Sequence, residues 1–572
     1  MLVIAVSLLL IIAAACFGLS RVVTTRHLGL GAAAACLGAG LLLAAPSLVP
    51  QLIFPTFSVG AASFELVGQL GPGDTALAAA LLWGGAMALA ALAAAIAPGV
   101  RGFGPIFGWS CLTLVAALLG LAAPPLSMVT PLAWAVSALA SYGALRASST
   151  LNQSEAMPHG LALGLLASIL LLGGLLGIRP ALAAGSLPAW GLMATLLLAV
   201  LAMAGVAPLG MARDEAVRAP APLGALIYGL VMPTLGLGYL LHLVDLLPSM
   251  PMSWRTTLVA IGSVGTLASA AGAYGEARLR PLLGWVAGAQ ASAVVVAAGL
   301  TGSLASLAGP ALLINLMLAT VAGAAAVVDL ERNTGGDEFA DTAPGPQLIL
   351  AGSLWAVASA AVLGIPPLWG FWGRRWLFEA VLGQMPWALP LLVAGAALLA
   401  LALIMPLARF WPVPDPRSHP AARGRLDPIA GALSLVPLLV FGFAPQLAWG
   451  MWMRKLPLAP LDLPVNQGDQ AAAAAIGVII VILALALART STARQITRSV
   501  DEEPIQLAAD ALGQSLRPLA AIGRADTFLG QVWAALLWVS HWLHVAISIF
   551  EQRYYLLGVM VALLTVMLLM AQ

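Results

Sequence analysis

The chain alternates long apolar stretches with short polar connections along most of its length. Apolar runs of about 18 or more residues can cross a bilayer as single helices. We predict sixteen membrane spans, near 1–19, 28–49, 75–98, 103–123, 126–145, 159–178, 187–207, 221–246, 253–275, 281–302, 307–328, 346–378, 386–408, 428–450, 470–488 and 553–571. Strands of a membrane barrel would alternate apolar and polar residues, and these runs do not. The pattern predicts an all-α polytopic membrane protein.

The composition supports the same solvent, the lipid bilayer. Of 572 residues, 61% are hydrophobic and 8% are charged, against about 25% charged in soluble proteins. Cys16, Cys36 and Cys111 all lie inside apolar runs and are interpreted as small core residues, so a disulfide scaffold is excluded. The net charge of +2 gives no information about nucleic-acid binding, and no nucleic-acid partner is expected for a bilayer protein.

The basic residues predict the topology, because short cytoplasmic loops carry the excess of positive charge. Eighteen of the 25 basic residues follow odd-numbered spans and four follow even-numbered ones. The segment Met1 to Leu19 lacks the basic start of a signal peptide, so we read it as a retained helix. We expect an integral protein of the prokaryotic plasma membrane with both termini on the outer side.

Two spans are interrupted by proline. One run ends at Pro208, and another contains Gly364-Ile-Pro366-Pro367 in its interior. Proline removes a backbone donor, and a break at membrane depth persists only where protein or a polar cavity re-satisfies the carbonyls. Paired broken helices in two halves of a chain are typical of transporters with inverted repeats. An ordinary proline kink is the alternative at each site.

The segment 500–550 differs from the spans before it. Acidic residues precede Pro504, and Trp533, Trp538 and Trp542 follow among interleaved charges. This pattern favours a long amphipathic helix lying in the membrane interface on the cytoplasmic side. A seventeenth span at 528–550 is the alternative.

Four motifs, in order, resemble the antiporter-like subunits of respiratory complex I, Mrp-type cation antiporters and membrane-bound hydrogenases. The most specific is Gly364-Ile-Pro-Pro-Leu-Trp-Gly-Phe-Trp-Gly-Arg374, which is similar to the family's GIPPLxGFxxK segment. The others are Ala219-Pro-Ala-Pro222 with Ala225-Leu-Ile-Tyr228 and Met232, Trp134 with Ser141-Tyr142, and Arg280-Pro-Leu-Leu-Gly-Trp285. The resemblance covers roughly 75–450 and, by architecture, the C-terminal tail.

The resemblance implies two inverted five-helix repeats, each with a broken helix, and a lateral helix before a final span. The implied division is 1–100 for N-terminal helices, 101–250 and 251–410 for the repeats, 411–490 for additional helices, 491–552 for the lateral helix and 553–572 for the final helix. It also implies partner membrane subunits of a complex I-like or Mrp-like assembly, and no cofactor in this chain.

Family members are thought to carry protons along buried ionisable residues, and this sequence departs from nearly all of them. Intramembrane ionisable groups are costly and therefore usually functional. The family's Glu falls on Ala135, and its Lys on the seventh span falls on Met203. On the eighth span, the family's His falls on Tyr228, and the alternative Lys falls on Pro233 or Thr234. On the eleventh span Asn315 is the most polar side chain, and on the twelfth only Arg374 keeps a charge. Because a guanidinium keeps its proton, Arg374 cannot replace a proton carrier.

Few groups could substitute for this relay. Arg375 and Glu379 have the spacing of a helical ion pair, interpreted as a structural bridge or a gate. His242 and Asp245 lie three residues apart near the outer end of the eighth span, as a titrating pair or a solvated helix end. Together with Arg374 and Tyr228, these are the candidate ion-path or gating residues. No catalytic, cofactor or metal site is indicated.

We therefore predict a membrane-arm subunit of a complex I-like energy-converting assembly of the quinone oxidoreductase or hydrogenase type. Its role would be structural or coupling, with proton translocation left open and no catalytic site of its own. The alternative is an active proton or cation antiporter, or an inorganic-carbon uptake subunit, that uses a non-standard ion path.

Overall fold

A computed structural model describes residues 2–44, 52–53, 57–59, 62–64, 67–68, 72–97, 99–152, 159–183, 190–207, 209, 219–247, 250–334, 336–337, 349–410 and 426–445, with residues 514, 518 and 538. Within these residues the chain forms α1 (Leu2–Gly18), α2 (Thr25–Ala44), α3 (Pro72–Ala95), α4 (Gly104–Ala122), α5 (Val129–Asn152), α6 (His159–Ala183), α7 (Trp190–Ala204), α8 (Ala221–Leu246), α9 (Met252–Tyr274), α10 (Leu279–Gly299), α11 (Ser303–Thr334), α12 (Ile349–Leu363), α13 (Trp369–Gln384), α14 (Leu389–Phe410) and α15 (Leu426–Phe443). A short 3₁₀ turn, Pro386–Ala388, precedes α14.

Four very short strands lie in the connection between α2 and α3. They are β1 (Leu52–Ile53), β2 (Phe57–Val59), β3 (Ala62–Phe64) and β4 (Val67–Gly68). β1 pairs with β4 and β2 with β3, both antiparallel. All other described elements are helices, so the polytopic helical architecture agrees with the prediction.

Nine helices of the described part are long and apolar enough to cross a membrane: α2, α3, α4, α6, α8, α9, α10, α11 and α14. Four more, α1, α7, α12 and α15, are apolar but shorter. The helices α1 to α11 lie at the first eleven predicted spans, α12 and α13 divide the twelfth, and α14 and α15 lie at the next two. The predicted spans 470–488 and 553–571 lie outside the described residues, as does almost all of the lateral helix.

The helix α11 is the centre of the fold. Every residue of its most apolar window is buried, and it packs against α3, α8, α10, α12, α13 and α15. A polar side chain on this helix reaches neither lipid nor water, so it needs protein partners. The position of Asn315 on α11 is therefore informative about the surrounding helices.

The helix α8 changes its winding in the membrane interior. It begins as an α-turn at Ala221–Gly224, continues as a π-helix at Ala225–Val231, and returns to α-helix at Met232–Leu246. Pro233 lies at the start of the last segment, where a missing N–H and the bulk of the ring disturb the preceding turn. π-helical turns of this kind are frequent at functional sites, and this one contains Tyr228.

Candidate functional site at the broken helices

The Pro-Pro segment separates α12 from α13. Gly364 has φ +71° immediately after the last residue of α12, and the Pro366–Pro367 peptide bond is cis. Around it the Ile365 N–H donates to the Ala360 carbonyl at 2.9 Å, and the Leu368 N–H donates to the Ile365 carbonyl at 3.1 Å. The chain thus leaves one helix and enters the next with irregular but hydrogen-bonded backbone.

Two buried amides from neighbouring helices support this break. Asn315 Nδ2 on α11 donates to the Ala361 carbonyl and to Gln290 Oε1 on α10, each at 3.0 Å. Both side chains are at most 2% exposed. They supply the protein partners that a broken membrane helix requires. Sequence reasoning singled out Asn315 but missed Gln290, because 25 residues separate the two.

Glycines allow the close approach at this site. A Cβ placed at Gly370 would lie 2.0 Å from the Ala361 carbonyl oxygen, and one at Gly442 on α15 would lie 1.8 Å from the Pro367 carbonyl oxygen. Trp372 Nε1 donates to the Gly442 carbonyl at 3.0 Å. The break is therefore enclosed by α11 on one side and by the end of α15 on another.

The end of α7 repeats the hydrogen-bond pattern of the second break. Gly205 has φ +65°, Val206 N–H donates to the Leu201 carbonyl at 3.1 Å, and Leu209 N–H donates to the Val206 carbonyl at 2.8 Å. The residues Gly205, Val206 and Leu209 thus correspond to Gly364, Ile365 and Leu368 in sequence, conformation and bonding. The predicted breakpoint Pro208 itself lies outside the described residues.

Arg374 lies one and a half turns into α13, and its stem runs back along the break. A Cβ at Gly364 would lie 2.6 Å from Arg374 Cδ, so the missing side chain of the glycine makes room for the arginine. Among the described residues no carboxylate forms an ion pair with Arg374. The carbonyl end of α12 carries partial negative charge beside this stem, which favours a cation there. The Arg374 stem is thus packed against the broken helix.

The neighbouring pair Arg375 and Glu379 forms the expected helical ion pair. Arg375 Nε donates to Glu379 Oε1 at 2.8 Å, and the Arg375 guanidinium lies 5.7 Å from the centre of the Trp372 ring. The side chains are 27% and 41% exposed in the chain alone. The geometry fits a structural bridge on the outside of α13, and whether it gates anything stays a prediction.

His242 pairs with a residue that sequence reasoning did not consider. His242 Nε2 lies 2.5 Å from Asp74 Oδ1 on α3, 168 residues away in sequence. Asp245 is exposed, and whether it forms a titrating pair with His242 or only a solvated helix end stays a prediction. No local spacing could reveal it, because Asp74 and His242 come from different helices.

The positions at which the family has ionisable residues are occupied here by buried apolar or weakly polar side chains. Met203 is fully buried, and Pro233 and Thr234 are buried in α8. Thr234 Oγ1 donates to the Leu230 carbonyl at 2.5 Å within its own helix. Ala135 on α5 is partly buried. None of these positions brings an ionisable side chain into the described interior.

Two small cavities adjoin Tyr228, each with room for about one or two water molecules. One is lined by Met203, Gly205 and Met232, and the other by Arg280, Gly224 and Thr320; Tyr228, Gly284 and Ala287 line both. Arg280 closes the second cavity and pairs with Glu331, with Arg280 Nη2 2.7 Å from Glu331 Oε2. Its Nη1 also donates to the Ala219 carbonyl at 3.1 Å. Glu331 is a further residue that sequence reasoning missed.

Within the described residues, no group of three His, Cys, Asp or Glu side chains could hold a metal ion.

Comparisons with known proteins agree with the motifs. Residues 126–400 match the model of the family described as NADH:quinone oxidoreductase/Mrp antiporter, transmembrane. No curated protein matches the chain.

Two solved structures are similar in fold. A chain of the Mrp complex from Dietzia sp. DQ12-45-1b has TM-score 0.65 and 21% identity, covering 96% of this chain and 63% of that chain. A chain of the membrane-bound sulfane sulfur reductase (MBS), an archaeal respiratory membrane complex, has TM-score 0.64 and 19% identity, covering 80% and 78%.

These findings confirm the predicted resemblance: residues 126–400 match the transmembrane region of the NADH:quinone oxidoreductase/Mrp antiporter family, and the fold is similar to that of subunits of two multisubunit membrane complexes. It spans 63% of the length of the Mrp-complex chain.

Proposed function

We propose that this antiporter-like chain is a membrane-arm subunit of a complex I-like, ion-translocating assembly in which it has a structural and coupling role. Electron transfer belongs to partner subunits, and this chain has no catalytic site of its own. It keeps the architecture of a proton-carrying subunit but does not carry protons itself.

The observation that carries this proposal is the filling of the relay positions. Met203 is completely buried where the family has a lysine, and Ala135 stands where it has a glutamate. The one retained charge is Arg374, whose guanidinium cannot give up its proton in transport. A path that must change protonation at each step is interrupted at several of its steps.

The inverted five-helix repeats belong to the same proposal. Their support is the matching pair of breaks, Gly205 to Leu209 and Gly364 to Leu368, with the same positive-φ glycine and the same two displaced hydrogen bonds. The repeats would occupy 101–250 and 251–410. Each break would either allow the two adjoining helical segments to rotate relative to each other or only fix how those segments pack.

The C-terminal part completes the proposed architecture. The segments 491–552 and 553–572 would form a lateral helix along the cytoplasmic surface and a final span. With the basic residues on the cytoplasmic side, both termini lie outside a prokaryotic plasma membrane. The lateral helix would then bind neighbouring membrane subunits together.

Purification of the native complex from its membrane tests the assembly. Mass spectrometry of the co-purifying chains should find other antiporter-like subunits together with hydrophilic iron–sulfur and quinone-reducing or hydrogen-reacting subunits. Co-purification with a single soluble partner alone would overturn the proposal.

A second candidate function is an active proton or cation antiporter, or an inorganic-carbon uptake subunit, with a non-standard path. One observation favours it. The cavities beside Tyr228 reach from Met203 to the Arg280–Glu331 pair, so small cavities and an ion pair lie where the two proposed repeats meet. The lone soluble partner described above is the result that this function predicts.

A further inference from the structure

One face of α5 carries three buried polar groups that find no partner. Trp134, Ser137 and Ser141 are spaced by three and four residues, so they lie in a row on one side of the helix. Each is at most 2% exposed. Trp134 Nε1, Ser137 Oγ and Ser141 Oγ have no hydrogen-bond partner in the described part of the chain. We call this row, together with Tyr239 of α8, the α5–α8 polar face.

Tyr239 joins the row across the helix interface. Its ring packs edge-on against the Trp134 ring, with centroids 5.7 Å apart. Tyr239 is 4% exposed, and its hydroxyl also has no hydrogen-bond partner among the described residues. Four unpartnered polar groups therefore lie along two helices that meet at Trp134 and Tyr239.

This arrangement differs from that of most buried hydroxyls in the fold. Ser110, Thr113, Thr234 and Thr320 each donate to the carbonyl four residues earlier in their own helix. That bond satisfies a hydroxyl without any other partner. Ser137 and Ser141 do not make it. A buried hydroxyl or indole N–H without a partner costs about 1–3 kcal/mol, so four together require another explanation than packing.

The outer end of the polar face adjoins the paired side chains of Asp74 and His242. His242 follows Tyr239 by three residues on α8, so the two lie on the same side of that helix. The His242 and Asp74 side chains are 23% and 16% exposed, which places them at an accessible boundary. Ser141 lies seven residues from Trp134, about 10 Å further along α5.

We propose that the α5–α8 polar face binds water, as a hydrated cleft that opens beside Asp74 and His242 and ends near Ser141. Water fits these groups because all four are neutral. A water molecule can accept a hydrogen bond from the Trp134 indole N–H, and it can donate to or accept from the hydroxyls of Ser137, Ser141 and Tyr239. On the topology proposed above, the cleft opens to the outer side.

The cleft holds whether or not protons cross the subunit, so its test is independent of transport. X-ray radiolysis of bound water in the detergent-solubilised native complex, followed by mass spectrometry, measures side-chain oxidation. We expect strong oxidation of Trp134 and Tyr239. The matched control is Trp355, which is 1% exposed but donates its indole N–H to the Leu403 carbonyl at 3.2 Å. Oxidation of Trp134 no faster than that of Trp355 would overturn the proposal.

A second measurement gives the depth and side of the cleft. In a background with Cys16, Cys36 and Cys111 replaced by alanine, Ser137→Cys and Ser141→Cys should react with silver ion added to the outside of intact cells. Ser292→Cys on α10, where Ser292 is 0% exposed and its hydroxyl donates to the Gly288 carbonyl at 2.7 Å, should not. Equal protection of all three cysteines in correctly assembled complex would contradict a cleft that reaches Ser141.

Discussion

At the scale of single residues, the second break is stabilised by groups that do not titrate. Asn315 and Gln290 are neutral amides, and the aliphatic stem of Arg374 packs against Gly364 at the end of α12. In a proton-carrying relative, the resemblance places titratable groups at these depths. In this chain the groups at these depths fix the conformation of the broken helix, as expected for a structural role.

The amide pair yields the first prediction. Asn315→Leu removes the donor to the Ala361 carbonyl, and we expect a loss of stability of about 1–3 kcal/mol, the cost of an unsatisfied buried group. Thermal unfolding of the complex in detergent measures it. Since the two amides share a hydrogen bond, the double variant with Gln290→Leu should show a coupling of about 0.5–3 kcal/mol. Additive effects would contradict the network.

Two glycines of α13 provide a matched pair for the second prediction. Gly370→Ala places a methyl group against the Ala361 carbonyl oxygen and should separate α13 from α12, lowering the melting temperature. Gly383→Ala has no atom within 4 Å of the new methyl group and should be neutral or stabilise by about 0.5–1 kcal/mol. Similar melting temperatures for the two variants would show that the close contact is relaxed in the complex.

At the scale of elements, the contacts that position the site join helices far apart in sequence. The lengths of the apolar runs predicted the membrane spans, and the Gly364-Ile-Pro366-Pro367 motif predicted the second break. The partners of that break did not follow, because Gln290, Asn315 and Gly442 lie on three other helices. Likewise, the π-helical winding around Tyr228 precedes Pro233 and packs against α11, and apolar periodicity does not report it.

The link between α3 and α8 provides the third prediction. In a double-mutant cycle, Asp74→Asn and His242→Gln should be coupled, because the two side chains share a hydrogen bond. We expect a coupling of about 0.5–3 kcal/mol, measured by unfolding of the complex. The comparison cycle combines His242→Gln with Asp245→Asn; Asp245 is exposed and acts on His242 only through its charge, so its coupling should be smaller than that of Asp74 with His242. A larger coupling of His242 with Asp245 than with Asp74 would contradict the Asp74 contact and favour a pair of His242 and Asp245.

At the scale of the whole molecule, fold and function were predictable to different extents. Apolar runs and four ordered motifs were enough to predict the helical membrane architecture and the family resemblance. The interior of the site was not, since it depends on which helices α11 contacts. The proposed function follows from the combination: an architecture that the family uses for ion transport, with Met203, Ala135 and Arg374 where the titrating groups would stand.

The most direct measurement is the number of protons translocated per electron by the reconstituted complex. It is compared between the native complex and variants with alanine at Arg374, at Glu379 and at Asp245, each normalised to electron-transfer rate and to the amount of assembled complex. We predict the same proton-to-electron ratio in all four, because none of these groups carries protons. A large fall in the ratio of any one variant, at unchanged assembly and electron transfer, would contradict the structural role.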